Sequence, residues 1–142
     1  RKLIIVNGHG GNSFKNMIRD LSVDFPDFLI AITNWYGIVP QEGYFENKDD
    51  HAGELETSVM MFYHPELVNL EEAGEGTSKP FALSSLNAQI AWLPRYWSKV
   101  SADTGIGDPR KSTPEKGERY AKAVIEKLAL LFTEIGSKEV YL

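Results

Sequence analysis

Cysteine is absent from the 142 residues. Disulfides and thiolate metal sites are therefore excluded, and any bound metal must be held by His, Asp or Glu. A reducing, cytoplasmic setting is compatible with that composition. Long apolar runs are missing as well. Stretches such as Leu3 to Val6 and Phe28 to Ile32 fall far short of the roughly 20 residues that a membrane-spanning helix needs. Nor is there any excess of positive charge, since 15 Lys and Arg stand against 20 Asp and Glu, a formal net charge of -5. Nucleic-acid and anionic-membrane partners, which call for a basic surface, are thereby disfavoured, and small neutral or cationic ligands are favoured. What remains is an ordinary globular composition with 42% hydrophobic residues, enough for one core, so residues 1–142 are read as a single domain.

The organisation points to an α/β architecture. Leu3-Ile4-Ile5-Val6 is uniformly apolar and β-branched-rich, and Asn7-Gly8 ends it. Such a run suits a parallel strand covered on both faces. Because it lies directly after Arg1, the domain is expected to lack its N-terminal part. Phe14, Met17, Ile18 and Leu21 recur at helical spacing before Pro26, and Phe28 to Thr33 reads as a second buried strand. Strand, helix and strand with short connections form a parallel crossover unit, which places residues 7–12 at a strand's carboxyl end, where ligands of α/β sheets bind. A helix is predicted from Gly53 to about Tyr63, stopped by His64-Pro65. Residues 66–113, rich in Gly and Pro, are predicted to be ordered loops whose aromatics Phe81, Trp92, Tyr96 and Trp97 need packing partners. Thr113-Pro114 should open a last helix with an apolar stripe of Tyr120, Val124, Leu128, Leu131 and Ile135, ended by Gly136. Lys138 to Leu142 should begin a further element.

Two motifs carry chemistry. Asn7-Gly8-His9-Gly10-Gly11-Asn12 invites a phosphate-binding reading, because helix N-termini offer free amides to anions. It departs from a dinucleotide fingerprint, with Ser13 where a glycine belongs and Asn34 where an acid would close the next strand, and it lacks the lysine of a P-loop. What it presents is a histidine among glycines, able to approach a metal or substrate closely. Asn12 in that place most often caps the following helix. The second motif, His51-Ala52-Gly53-Glu54-Leu55-Glu56-Thr57-Ser58, sets an imidazole and two carboxylates at a helix start. Acids there complement the helix dipole, which explains the glutamates but not the histidine. Glu54 and Glu56 project about 200° apart on a helix and so should do different jobs. Trp35 and Tyr36, after the second strand, could wall a flat substrate beside the His9 loop. His64, at a helix end beside Pro65, is better suited to the helix's last carbonyls than to a metal.

Taken in this order, with Thr104-Gly105-Ile106-Gly107-Asp108-Pro109 and the helix after it, the two motifs resemble the creatininase, or creatinine amidohydrolase, family from Arg1 to about Ile135. The resemblance implies a three-layer α/β/α sandwich with a mostly parallel sheet, a homo-oligomer that is commonly a hexamer, and a site with two divalent metal ions, zinc or manganese, that hydrolyses C–N bonds of small amides. It implies His9 and Glu56 at the metals and His51 as catalytic acid/base; Trp35, Glu54, Gly10 and Gly11 are expected around the substrate. It also implies that further metal ligands precede residue 7, so that this stretch alone would be inactive. Creatinine-hydrolysing members carry a metal-binding Glu where this chain has Gly11. Glycine-bearing branches are similar to enzymes acting on formamides of pterin or flavin precursors, or on peptide bonds in cofactor maturation. In such chemistry a metal polarises the amide carbonyl and lowers the pKa of bound water towards about 7, while His51 would bring a proton to the departing nitrogen. The rival reading is a non-enzymatic α/β domain that binds a phosphorylated or nucleotide ligand through the Gly-rich loop.

Overall fold

The computed structural model describes residues 1–47 and 50–141, which fall into two compact units, Arg1–Pro40 with Lys122–Leu142, and Gln41–Ala121. In the first, β1 (Lys2–Asn7) and β2 (Leu29–Asn34) pair in parallel, from Lys2 opposite Leu29 to Asn7 opposite Asn34. Helix α1 (Phe14–Asp24) connects them. It ends where Phe25 N–H donates to the Leu21 carbonyl at 2.9 Å, just before Pro26, whose ring disfavours helical geometry in Phe25. Phe14, Ile18 and Leu21 are half-buried, as their spacing predicts, while Met17 is exposed. The expectation that β1 is covered on both faces is not met among the described residues. Ile4 and Ile5 are half-buried, but Leu3 and Val6 are exposed, and among the described residues the sheet has two strands.

The second unit is built around α2 (Glu54–Tyr63) and the first two turns of α5 (Pro114–Ser137). Gly53 supplies the N-cap of α2. Thr113 Oγ1 accepts the Lys116 N–H at 3.2 Å, the cap that Thr-Pro predicted for α5. The helices meet at backbone distance, since a Cβ on Gly117 would lie 2.0 Å from the Ser58 carbonyl oxygen. Ser58 Oγ also accepts the Thr113 N–H at 3.3 Å. Leu55 and Tyr120 are fully buried, and the Tyr120 ring lies 5.4 Å from that of Tyr44 and 5.2 Å from that of Phe45.

Burial pushes the Tyr120 phenol up to about 12, because the phenolate loses hydration there. Tyrosine in an unfolded chain titrates near 10. The stabilising contribution of the neutral phenol is therefore complete below pH 10 and lost as pH rises towards 12. Thermal melts across that range should show a steep alkaline fall in Tm for the wild type and a shallower one for Tyr120→Phe; parallel profiles would contradict the assignment.

Two sequence-based expectations fail at the ends of elements. Gly136 does not end α5, which runs on through Ser137, with Lys138 N–H bonded to the Glu134 carbonyl at 2.9 Å. One cause is Lys2, whose ammonium donates to the Ile135 and Lys138 carbonyls at 2.6 and 3.0 Å and so satisfies acceptors left over in the last turn. Lys138 to Tyr141 form no regular element, and Leu142 lies outside the described residues. Residues 66–113 are loops holding two one-turn helices, α3 (Ser84–Asn87) and α4 (Trp97–Val100). Their aromatics are less packed than expected, with Trp92 84% and Tyr96 67% exposed.

Candidate active site

The first motif folds into a latch. Asn7, at the end of β1, is buried, and its Nδ2 donates to the His9 carbonyl and to Asn34 Oδ1, both at 2.8 Å. Its Oδ1 accepts the His9 N–H at 3.2 Å and Asn12 Nδ2 at 2.9 Å. Asn12 therefore does not cap α1: Ser13 stands at the cap, with no side-chain bond. Trp35 folds back from the end of β2, its indole N–H donating to the Gly8 carbonyl at 3.3 Å, and its ring meets that of Tyr36 edge-on at 6.3 Å. The Tyr36 hydroxyl lies 3.6 Å from where a Gly10 side chain would begin. His9, Gly10, Gly11, Trp35 and Tyr36 are thus assembled together. The latch residues Asn7 and Asn34 were missed by sequence reasoning, although their signal was present: two asparagines ending adjacent strands face each other once the parallel register is set.

Gly11 N–H donates to His9 Nδ1 at 2.9 Å, so Nδ1 is an acceptor and a neutral imidazole carries its proton on Nε2. With the Asn12 N–H given to the His9 carbonyl at 3.2 Å and the His9 N–H to Asn7, three loop amides are spent inside the loop. A phosphate cradle needs those amides pointing outward, and the anion-binding reading loses its main support. A Cβ on Gly11 would sit 2.9 Å from Cε1 and Nδ1 of His9. Gly11→Ala must therefore displace the ring, and it is expected to lower turnover by about tenfold or more with Tm nearly unchanged, because the loop is exposed. Equal kcat in mutant and wild type would show that this ring position is not used.

The second motif lies in the other unit. His51 is half-buried and forms an antiparallel bridge with Ile106, its N–H on the Ile106 carbonyl at 2.9 Å and its carbonyl receiving the Ile106 N–H at 2.8 Å. Its ring centroid is 4.8 Å from that of Trp97, at 52°. The chain then turns sharply: Ala52 has φ 50°, a strained value for a residue with a Cβ, and Glu56 Oε2 accepts the Ala52 N–H at 2.7 Å. Glu56 borders a cavity of about 400 Å³ that also takes in Thr57, Met60, Glu72, Asp103 and Pro109.

Glu54, expected around the substrate, is 0% exposed. Its Oε2 accepts the N–H groups of Glu46 and Asn47 at 3.0 and 2.8 Å, and its Oε1 meets the Lys116 ammonium at 2.5 Å. It fastens loop 46–47 and α5 to the start of α2, and its buried carboxylate is turned to protein groups. The two glutamates do different jobs, as their angular separation predicts. Hydrogen bonding to Glu54 is the first cause that holds Lys116 above the usual lysine range, and Lys111 and Lys116 together hold Glu46 below the usual carboxylate range. His64 stands at the C-terminus of α2, but its ring pairs with Glu66 at 3.2 Å and does not bond the helix carbonyls.

His9 and Glu56 suit zinc or manganese in kind, being an imidazole and a carboxylate, but they do not make a metal site by themselves. Among the described residues no group of three or more His, Asp or Glu could hold an ion. No step of the chemistry below is therefore drawn through a metal.

The first unit is a parallel α/β crossover with a histidine loop at the carboxyl end of β1, and later in sequence α2 opens just after His51. The creatininase (creatinine amidohydrolase) family model matches residues 1–132, and the chain belongs to that family. Mycofactocin precursor peptide peptidase of Mycobacterium ulcerans (strain Agy99) is 30% identical over 129 residues, which are 88% of this chain and 45% of that protein. Its counterpart from Mycobacterium tuberculosis (strain ATCC 25618 / H37Rv) is 29% identical over 135 residues, again 45% of that protein. A Bacteroides fragilis NCTC 9343 crystal structure, provisionally named a creatinine amidohydrolase, is 62% identical with a TM-score of 0.95, covering 100% of this chain and 56% of that one. The manganese form of creatininase, at 20% identity and a TM-score of 0.68, shares the fold. The α/β, creatininase-like fold is therefore established. The chain spans about half the length of the curated relatives it matches. No helix among the described residues is long and apolar enough to cross a membrane.

Proposed function

We propose that this chain carries the proton-transfer side of an amidohydrolase active site, with His51 as the acid/base that hands a proton to the departing nitrogen of a cleaved C–N bond. The observation that supports it most is the restraint on His51, whose backbone is bridged to Ile106 and whose ring is set against Trp97 at 4.8 Å, beside the turn that Glu56 closes. An imidazole titrates near neutrality and can both take and give a proton there. An amine leaves poorly without one, so a fixed imidazole at the scissile nitrogen has a large effect on rate. Glu56 holds the Ala52 turn, and Glu54 with Lys116 holds the helix that carries it.

Metal dependence belongs to the same proposal: His9 and Glu56 are each, in kind, candidate donors to a divalent ion, and a complete donor set needs more ligands than the described residues hold. The substrate would be an amide, either a small one such as a cyclic amide or formamide, or a peptide bond as in the name of the mycobacterial relatives. Gly11, standing where creatinine-hydrolysing members have Glu, weighs against creatinine itself. The test is metal content and turnover of the protein over its natural full length, assayed with creatinine, a hydantoin, a formamide and short C-terminal peptides. About two bound ions and hydrolysis of any of these supports the reading; a folded protein that hydrolyses none overturns it.

A further inference from the structure

Trp97 has two ring contacts, one with His51 and one with Arg95. The stretch from Arg95 to Ile106 is held by the bridge of Ser101 with Ser78 and by that of Ile106 with His51. Trp97 opens the one-turn helix α4 just before the first of these bridges. Its ring meets the His51 ring at 4.8 Å, and the Arg95 guanidinium lies 5.6 Å from the Trp97 centroid. Arg95 in turn forms an ion pair with Asp50, the residue before His51. Asp50, Arg95, Trp97 and His51 are therefore linked by three contacts, with Asp50 and His51 adjacent in the chain. Trp97 is 37% exposed, and the Arg95 and Asp50 side chains are 39% and 49% exposed. An exposed ion pair contributes little stability, and a third-exposed indole buries less apolar area than it could. The arrangement does little for the core and much for the orientation of one ring.

We infer that Trp97 is a positioning residue for the proposed reaction, its indole fixing the His51 imidazole in the rotamer that reaches the leaving nitrogen, with Arg95 steering the indole from Asp50. This rests on the reading of His51 as the proton-transfer group. Aromatic contacts at these distances are directional, and an error of about 1 Å in a catalytic group costs on the order of a hundredfold in rate. What matters is then a flat ring at position 97, and apolar bulk alone does not replace it.

The test uses the natural full-length protein and whichever of creatinine, the hydantoin, the formamide and the peptides it hydrolyses fastest. Four variants are compared: Trp97→Phe, Trp97→Leu, Trp97→Ala and His51→Ala. Trp97→Leu and Trp97→Ala are expected to lose about tenfold to a hundredfold in kcat with KM little changed. Trp97→Phe, which keeps a ring, should stay within about threefold of wild type. A purely structural role would instead let Trp97→Leu recover kcat as well as Trp97→Phe does, and that result overturns the inference. If His51→Ala is inactive while Trp97→Leu turns over normally, only the inference about Trp97 fails. Should His51→Ala keep wild-type kcat, or the wild type hydrolyse none of the four compounds, the underlying reading falls and this one with it.

Discussion

Turnover by His51→Ala is expected to fall about 10²–10⁴-fold, the usual contribution of a positioned general acid/base, while the folded protein and any metal it holds remain. The reasons for a clean separation are local. His51 is half-buried, and its carbonyl and N–H, which a substitution leaves in place, make the bridge to Ile106. The ring contact with Trp97 is lost, worth about 0.5–1.5 kcal/mol where such contacts have been measured. Kinetics and a thermal melt of the same sample check both halves of this expectation. Wild-type kcat would remove His51 from the mechanism, and loss of the folded state would mean that its ring is a structural element.

The second large effect concerns stability and falls on Glu54. Its carboxylate is fully buried, with Lys116 on one oxygen and two backbone amides on the other. Removing one partner of a buried pair leaves the rest desolvated without compensation, which costs about 3–5 kcal/mol. Glu54→Ala is therefore expected to lower the unfolding free energy by about that amount in urea titrations. Replacing both Glu54 and Lys116 with apolar residues should cost much less than the sum of the two single changes, because no unpaired charge then remains. Additive losses would indicate that the two groups are not coupled.

The contrast between Glu54 and Glu56 shows how far a sequence could be read here. Periodicity set them on different sides of α2, and the structure keeps them apart, one with Lys116 and loop 46–47 and the other on Ala52. Which one turned inward was not legible, because the deciding partner, Lys116, lies 62 residues away and nothing local announces it. The strands, α1, α2 and α5 were legible from β-branched runs, helical spacing, the His64-Pro65 stop and the Thr113-Pro114 cap, all of them local signals. The end of α5 was misread because Gly136 looked like a stop, whereas Lys2, at the other end of the chain, supplies donors to its last carbonyls.

In the candidate site, His9 with Gly10, Gly11 and Trp35 came together as the strand-end rule requires. The Asn7 latch did not stand out, since it depends on Asn34 across the sheet. Trp97 was noticed only as an aromatic in need of a neighbour. Its neighbour proved to be His51, through a bridge between Ile106 and His51 that no local pattern marks.

The most direct measurement is the fate of oxygen during turnover. The natural full-length protein would be incubated in ¹⁸O-labelled water with creatinine, the hydantoin, the formamide and the peptides, and the products weighed by mass spectrometry. The account predicts, for at least one of them, a carboxylate carrying one solvent oxygen and an amine carrying none, with both lost in His51→Ala. Unchanged starting compounds, or label-free products, would contradict it.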